Sequence, residues 1–453
     1  MRRPRIVIVG AGFAGFHAAR TLCRIARDRA EVVLVNTTDF FLYLPLLPEV
    51  AVGLIDPRRI TVSLPATLPN VRLILGEVDA VDFDGRRVRY HDAEDDVGEI
   101  GYDRLILAAG SVNKLLPVPG ATEHAHGFRG LPEALYLRDH IVRQFELADA
   151  TDDPAERAAR TTFVVVGAGY TGTEVAAHGV LLSDILYRRH PRLAGHGHAG
   201  GLRGEERVVR PRWLLVDVAD RILPELDQRL SATATRVLTE RGVEVLTGTS
   251  VASSMADGVR LSDGTMVPTR SLIWCVGVRP DPLVAGLGLP LRHGRIKVDE
   301  FLRVPGRPEV FACGDIAAVP DLTRPGELTS MTAQHAQRQG HRAALNLAAT
   351  YGHGKAKPYR HRDLGFVVDL GGTQAAADPL GVPLSGLPAK AVTRGYHLLS
   401  LPGNRIRTAT DWILDAVLPR QTVQLGLVRS PAVPLDTGTP ELPAPAPSRP
   451  PAH

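Results

Sequence analysis

Two sets of three glycines, Gly10, Gly12, Gly15 and Gly167, Gly169, Gly172, share one spacing, and each follows a short run rich in β-branched residues, at 6–9 and 162–166. A buried strand that runs through such glycines into a helix turns sharply and lets its backbone approach a pyrophosphate. The free NH groups of the helix then face the phosphate oxygens. One such turn also arises for packing reasons, but two in the same register, a domain's length apart, are far more specific. They point to two dinucleotide sites, with Phe13, Ala14 and Tyr170 inside the turns expected at the same ligands.

Polar residues at the ends of neighbouring strands sharpen this. The second strand of a dinucleotide unit usually ends in a carboxylate for the adenosine ribose, about 20 residues past the glycines. Asn36 stands there in the first unit, with Asp39 nearby as an alternative. An amide is expected to accept from one ribose hydroxyl and donate to the other, a weaker anchor. Asp217 stands there in the second unit, where a carboxylate favours a free ribose hydroxyl over a 2′-phosphate, and Arg221 is close enough in sequence to blunt the preference. Glu174, two residues past Gly172, is expected in the first turn of its helix, either as a dipole partner or as a contact to a nicotinamide. Asp315 follows Gly314 at the end of the run 310–315 and is presented either to a polyol hydroxyl or as an internal cap. Ala109, Gly110 and Gly277 end two further apolar runs with small residues that a ligand can approach closely.

The elements that position these residues read as alternating strand and helix. Strands are expected at 31–35, 71–76, 86–90, 102–110, 213–216 and 272–278, a turn at 84–85, and a helix followed by a strand across 227–245. The stretch 40–51, FFLYLPLLPEVA, is too apolar for a surface loop and should pack against core or a ring system. The Pro/Gly cluster 117–120 suits a crossing between domains.

Composition bounds the alternatives. With 453 residues the chain holds two or three domains. Cys23, Cys275 and Cys313 are widely separated, which suits buried thiols in a reducing compartment and argues against zinc or a redox dithiol. The net charge of +4, from 53 basic and 49 acidic residues, implies no nucleic-acid partner and leaves weak attraction to anionic lipid open. The apolar run after Met1 breaks at Gly10, so no signal peptide is expected, and no stretch is long enough to span a membrane. His190, His196 and His198 lie in an Arg/His/Gly-rich insertion expected to be solvated rather than metal-binding.

With GAGFAG, the Pro45-Leu46-Leu47 loop, GYTGTEVA and TAQHAQRQG at 332–340 in place, the order of elements resembles the two-dinucleotide-domain flavoprotein reductases, and among them the type II NADH:quinone oxidoreductases. The resemblance covers about 5–428 and implies an α/β fold of two Rossmann-like, glutathione-reductase-like domains. It implies FAD as cofactor, held by Gly10, Gly12, Gly15 and Asp315, and NADH as substrate, held by Gly167, Gly169, Gly172, Glu174 and Asp217. Ala333 and Gln334 map to the acceptor side of the flavin, where Gln334 and Arg338 would meet a quinone or other small electron acceptor. The expected domains are 1–116 with 285–345 for FAD, 117–284 for NADH, 346–429 as an interface or membrane-facing region, and 430–453 as a disordered tail. Three positions depart from the family pattern: Asn36, Leu44 and Arg338. The last two fall on the acceptor side and leave NADH oxidation untouched. A soluble NAD(P)H reductase with another acceptor, or an NADH-sensing flavoprotein similar to the apoptosis-inducing factors, are the alternative readings.

At the C-terminal end, Ile406, Ala409, Trp412, Ile413, Ala416 and Val417 share one helical face. Bordering Asp411 and Asp415 make it a poor match for anionic lipid, so periodicity alone favours a core position, while the resemblance implies a membrane surface. The expected location is the cytoplasm, including the inner face of the cell membrane, with a homodimer left open.

Overall fold

The computed structural model describes residues 3–27, 29–194, 210–361 and 364–438. His196, His198 and residues 439–453 of the expected tail lie outside them. The chain divides into two compact units. One comprises Met1–Leu42, Thr61–Val112 and Val278–Arg362, the other Tyr43–Ile60, Asn113–Gly277 and Asp363–His453.

The first unit is built on an eight-stranded sheet ordered Arg303–Val304, Arg307–Ala312, Arg104–Leu107, Arg5–Val9, Glu31–Asn36, Val71–Asp82, Arg87–Asp92 and Val97–Gly101. The five strands from Arg307–Ala312 to Val71–Asp82 are parallel. Ile6, Val7, Ile8 and Val9 are buried, as expected of a strand covered on both faces. Helix Phe13–Ile25 packs closely on helix Ala333–Ala349: a Cβ on Gly340 would lie 1.9 Å from the Ala14 carbonyl oxygen. Phe41, from the apolar stretch 40–51, stacks on Phe16 at 4.5 Å and meets Phe13 edge-on at 5.0 Å, so this part of the stretch is core.

In the second unit five parallel strands are ordered Ala125–Gly127, Ser271–Trp274, Thr162–Val166, Arg212–Val216 and Val243–Leu246. Phe163 and Trp213 stack at 4.7 Å beneath helix Tyr170–Arg189. In each unit the glycine turn leaves a central parallel strand whose neighbours on its two sides continue in opposite chain directions, the position where open α/β sheets bind ligands.

Three expectations fail. Residues 430–438 are not a loose tail: Leu435 is 1% exposed and sits in the core cluster with Val166, Val216 and Trp274. His190 is buried, its Nδ1 2.8 Å from the Leu186 carbonyl, where it closes the end of its helix. Helix Arg405–Val417 does not bury its apolar face, for Ile406, Ile413 and Val417 are 83%, 65% and 71% exposed. The bordering aspartates are neutralised by arginines, Asp411 by Arg59 at 2.8 Å and Asp415 by Arg420 at 2.8 Å, so they do not repel an anionic surface.

Candidate active site

In the first unit Gly10 has φ +89°, and a Cβ there would lie 2.5 Å from the Ala108 carbonyl oxygen; one on Gly15 would lie 1.8 Å from that of Gly10. A side chain at either position would push the helix off the sheet. Gly12 differs, because a Cβ there meets nothing within 4 Å. It caps helix Phe13–Ile25 without a side-chain bond, and that helix has no acid in its first turn. The positive helix end therefore opens on free space, which suits a dinucleotide phosphate.

Asn36 holds this turn instead of reaching outward. Its Oδ1 accepts from Ala11 N at 2.7 Å, and its Nδ2 donates to the Thr38 carbonyl at 3.0 Å and to Thr38 Oγ1 at 3.1 Å. Both amide hydrogens are spent, so the expected donation to a ribose is corrected to a bracing role. Asp39 is exposed. Ser111 Oγ donates to Asp315 Oδ2 at 2.6 Å, fixing the carboxylate beside Gly314, whose φ is +76°. Gly110, at φ +84°, leaves open space.

Gln334 and Arg338 lie one turn apart on helix Ala333–Ala349. Arg338 Nη2 donates to Gln334 Oε1 at 3.4 Å, and Nη1 lies 3.2 Å from His361 Nδ1. Gln339, buried and unanticipated, accepts from Gly314 N at 2.8 Å and donates to Thr329 Oγ1 at 2.9 Å, tying this helix to the loop that carries Asp315. Its only sequence signal is its place in TAQHAQRQG.

The second unit repeats the turn. Gly167 has φ +100° and no room beside the Cys275 carbonyl at 2.3 Å, Gly172 would collide with Gly167 O at 1.8 Å, and Gly169 is open. Asp217 accepts from Ala168 N through Oδ2 and from Ala219 N through Oδ1 at 2.8 Å. Each oxygen keeps a second lone pair, so a hydroxyl can still be bound. Arg221 is turned away: its terminal nitrogens donate to the carbonyls of Leu226 at 2.8 Å and Pro224 at 2.6 Å, which corrects the idea that it offsets Asp217. Gly277, at φ +95°, is open, and Tyr170 stacks on Phe366 at 5.5 Å.

Glu174 is the fifth residue of helix Tyr170–Arg189, whose first turn holds no acid, so the dipole role is excluded. Its Oε1 accepts from Asp369 N at 2.9 Å. Asp369 in turn takes Lys390 Nζ at 2.6 Å on both oxygens and Gly371 N at 2.7 Å, with His178 Nε2 at 3.4 Å. Glu49 is bound by Arg394 Nη1 at 2.8 Å and by Trp412 Nε1 at 2.6 Å, and the Arg394 guanidinium lies 3.9 Å above the Trp412 ring. Among these residues three carboxyls face two permanent cations, so at least one carboxyl keeps a proton. Burial, with the charges of Asp369 and Glu49 added, pushes Glu174 well above the carboxylate range. Burial, opposed by Arg394, pushes Glu49 up to about 8. Burial also opposes the charge of Asp369, but the bond with His178 and the Lys390 and Arg394 charges hold it well below the usual range. Burial lowers His178 and keeps it neutral. With Oε1 of Glu174 accepting, its proton sits on Oε2. Glu49, His178 and Asp369 lie close enough for a metal ion, yet Lys390 and Arg394 supply the positive charge there. Apart from Glu174 this cluster was not anticipated, although Glu49 inside an apolar run and Asp369 at the end of FVVD were its legible traces.

Residues 4–340 match the pyridine nucleotide-disulphide oxidoreductase family. The chain is 30% identical over 434 residues to the type II NADH:quinone oxidoreductase Ndh of Mycobacterium tuberculosis, covering 93% of this chain and 89% of the relative. It is 29% identical over 458 residues to the mitochondrial internal alternative NAD(P)H-ubiquinone oxidoreductase A1 of Solanum tuberosum, covering 92% and 88%. Its fold matches the structure of NDH2 from Plasmodium falciparum in complex with NADH, with a TM-score of 0.83 at 18% identity over 93% of this chain and 100% of that one. The chain therefore belongs to the pyridine nucleotide-disulphide oxidoreductase family and, within it, to the type II NADH:quinone oxidoreductases.

Proposed function

We infer that this chain is an FAD-dependent NADH dehydrogenase that oxidises NADH and passes two electrons to a quinone. The observation that carries the reading is the doubled glycine turn, each copy opening a positive helix end on free space, in a chain of this family. When bound, FAD supplies the two-electron chemistry that links a hydride donor to a quinone.

In the first unit Gly10, Gly12, Phe13, Ala14, Gly15, Ala109 and Gly110 would cradle the flavin nucleotide, with Gly314 and Asp315 at its polyol. Asn36 acts indirectly by fixing the turn. In the second unit Gly167, Gly169, Tyr170, Gly172 and Gly277 would hold NADH, with Asp217 on its ribose. The Asp217 charge disfavours a 2′-phosphate, so NADH is preferred to NADPH. Glu174, neutral and tied to Asp369, orients the nicotinamide amide without adding charge. Ala333, Gln334 and Arg338 form the acceptor side, where the guanidinium favours negative charge developing on a quinone oxygen.

The exposed face of Ile406, Ile413 and Val417 supports a position on the inner surface of the cell membrane, where a lipid-soluble quinone resides. Among the described residues no helix is long and apolar enough to cross it. In vesicle flotation, Ile413→Ser with Val417→Ser should release the protein while leaving flavin reduction by NADH intact; unchanged flotation would remove the membrane role of this helix.

Anaerobic stopped-flow absorbance tests the reaction. NADH should bleach the flavin faster than NADPH, and a quinone should restore it. Bleaching without reoxidation by any member of a quinone panel, in detergent or without, would leave a dehydrogenase with another acceptor.

A further inference from the structure

The first unit carries a groove of about 590 Å3 along helices Phe13–Ile25 and Ala333–Ala349, and of its lining the redox reading uses Arg338 alone. Five arginines line it, Arg20, Arg24, Arg338, Arg342 and Arg360, and no carboxylate does. The whole chain has 53 basic and 49 acidic residues, so five against none is a local concentration. Arg24, Arg342 and Arg360 form no ion pair with any carboxylate among the described residues.

Guanidinium groups stay charged at any working pH, so their crowding is a standing repulsion that an anion would relieve. Two titratable groups in the groove register the field. Burial, the Arg20 charge and His341 lower His17 to about 4, and burial with the Arg342 and Arg24 charges lowers His341. His341 Nδ1 lies 2.8 Å from Thr21 Oγ1, which also donates to the His17 carbonyl at 2.7 Å, so a hydrogen-bonded floor joins the two helices.

We propose that this groove binds a soluble anion carrying two or more phosphate groups. Planar guanidinium forks match phosphate oxygens in pairs, and Arg20 with Arg24, one helical turn apart, together with Arg342 and Arg360 suit adjacent phosphates better than one isolated charge. A groove of this volume takes more than orthophosphate, and Ile25, Leu345 and Pro358 provide apolar wall for an organic portion. The glycine turn at Gly10 is a separate feature built from backbone NH groups.

Calorimetric titration of the flavin-loaded full-length protein with inorganic pyrophosphate, at constant ionic strength, tests this. Binding at one site per chain is expected, with a rise in melting temperature that sulfate at equal ionic strength does not produce. Arg24→Glu with Arg342→Glu should weaken pyrophosphate at least about tenfold. Arg24→Lys with Arg342→Lys should keep part of the affinity, and both variants should match the parent in flavin content, circular dichroism and flavin reduction by NADH. Pyrophosphate binding that NADH displaces and the double glutamate variant leaves unchanged would assign it to the Gly169 turn and overturn the proposal. Absence of binding, or an equal response to sulfate, would also overturn it. Arginine-dependent binding to phosphatidylglycerol vesicles without pyrophosphate binding would replace the soluble ligand with a lipid headgroup.

Discussion

The two glycine turns share their backbone and differ in charge. Gly15 and Gly172 each lie where a Cβ would sit 1.8 Å from the carbonyl of the first glycine of the turn, and Gly12 and Gly169 each open on space. The middle amides, Ala11 N and Ala168 N, each bond to the side chain that ends the second strand. In one unit that side chain is Asn36, in the other Asp217. Two residues past the third glycine the contrast reverses in type: His17 stands in the first helix and Glu174 in the second, and burial lowers the one and raises the other, each toward its neutral form. The turn geometry thus serves any dinucleotide, and discrimination comes from the few side chains hung on it. On the proposed reading, the first unit keeps its nucleotide bound and would need only bracing from Asn36. On the same reading, the second unit exchanges its nucleotide at each turnover and would gain from the charge of Asp217.

The glycines should give the largest effects. Gly15→Ala should cost about 3 kcal/mol of stability and yield protein without flavin absorbance, because helix and turn must separate. Gly172→Ala should keep the flavin and lose saturable reduction by NADH. Flavin loss in Gly172→Ala with retention in Gly15→Ala would reverse the assignment of the two units.

Glu49 next separates the units by pH. Its folded value near 8 lies above its ordinary 4.5, so above pH 4.5 the unfolded chain releases a proton that the folded chain keeps. Stability then falls as pH rises toward 8, by at most about 1.4 kcal/mol per unit. Glu49→Gln should flatten this part of the profile in urea melts, and an unchanged slope would place the retained proton elsewhere in the cluster.

Exchanging the strand-end residues tests the contrast directly. Asp217→Asn should weaken NADH about tenfold, near 1.4 kcal/mol, and reduce the preference over NADPH. Asn36→Asp should leave nucleotide preference unchanged and loosen the flavin slightly, since a carboxylate cannot donate to Thr38. Equal shifts in nucleotide preference from both substitutions would erase the distinction. Smallest is Trp412→Phe, which removes the bond to Glu49 and keeps a ring under Arg394, for a loss of about 1 kcal/mol by thermal melt.

Much of the fold was legible because its signals are local. Helix Gln228–Glu240 falls within the stretch 227–245, strand Val243–Leu246 ends one residue past it, and the buried run ending at Asp315 is visible as small and β-branched residues. The run 102–110 reads as one strand, but within it only Arg104–Leu107 forms a strand, and Gly110 leaves the extended region. For helix Arg405–Val417 periodicity alone favours a core position and the resemblance a membrane surface, because periodicity reports which residues share a face and not what covers it. The Pro-rich surroundings of Leu435 read as a disordered tail and conceal a single buried anchor.

By itself the sequence determined the two glycine turns, their helices and the strand-end residues, since a positive φ and a missing Cβ are properties of the residue and its immediate neighbours. Only tertiary structure decided that Asn36 spends its amide on the turn, that Arg221 points away, and that residues 49, 174, 178, 369, 390, 394 and 412 share one buried charge cluster. Arg221 turns back on carbonyls three and five residues on, whereas the contacts of Asn36 with Ala11 and of the charge cluster join positions tens to hundreds of residues apart, where spacing carries no information and burial sets both the protonation state and the partner.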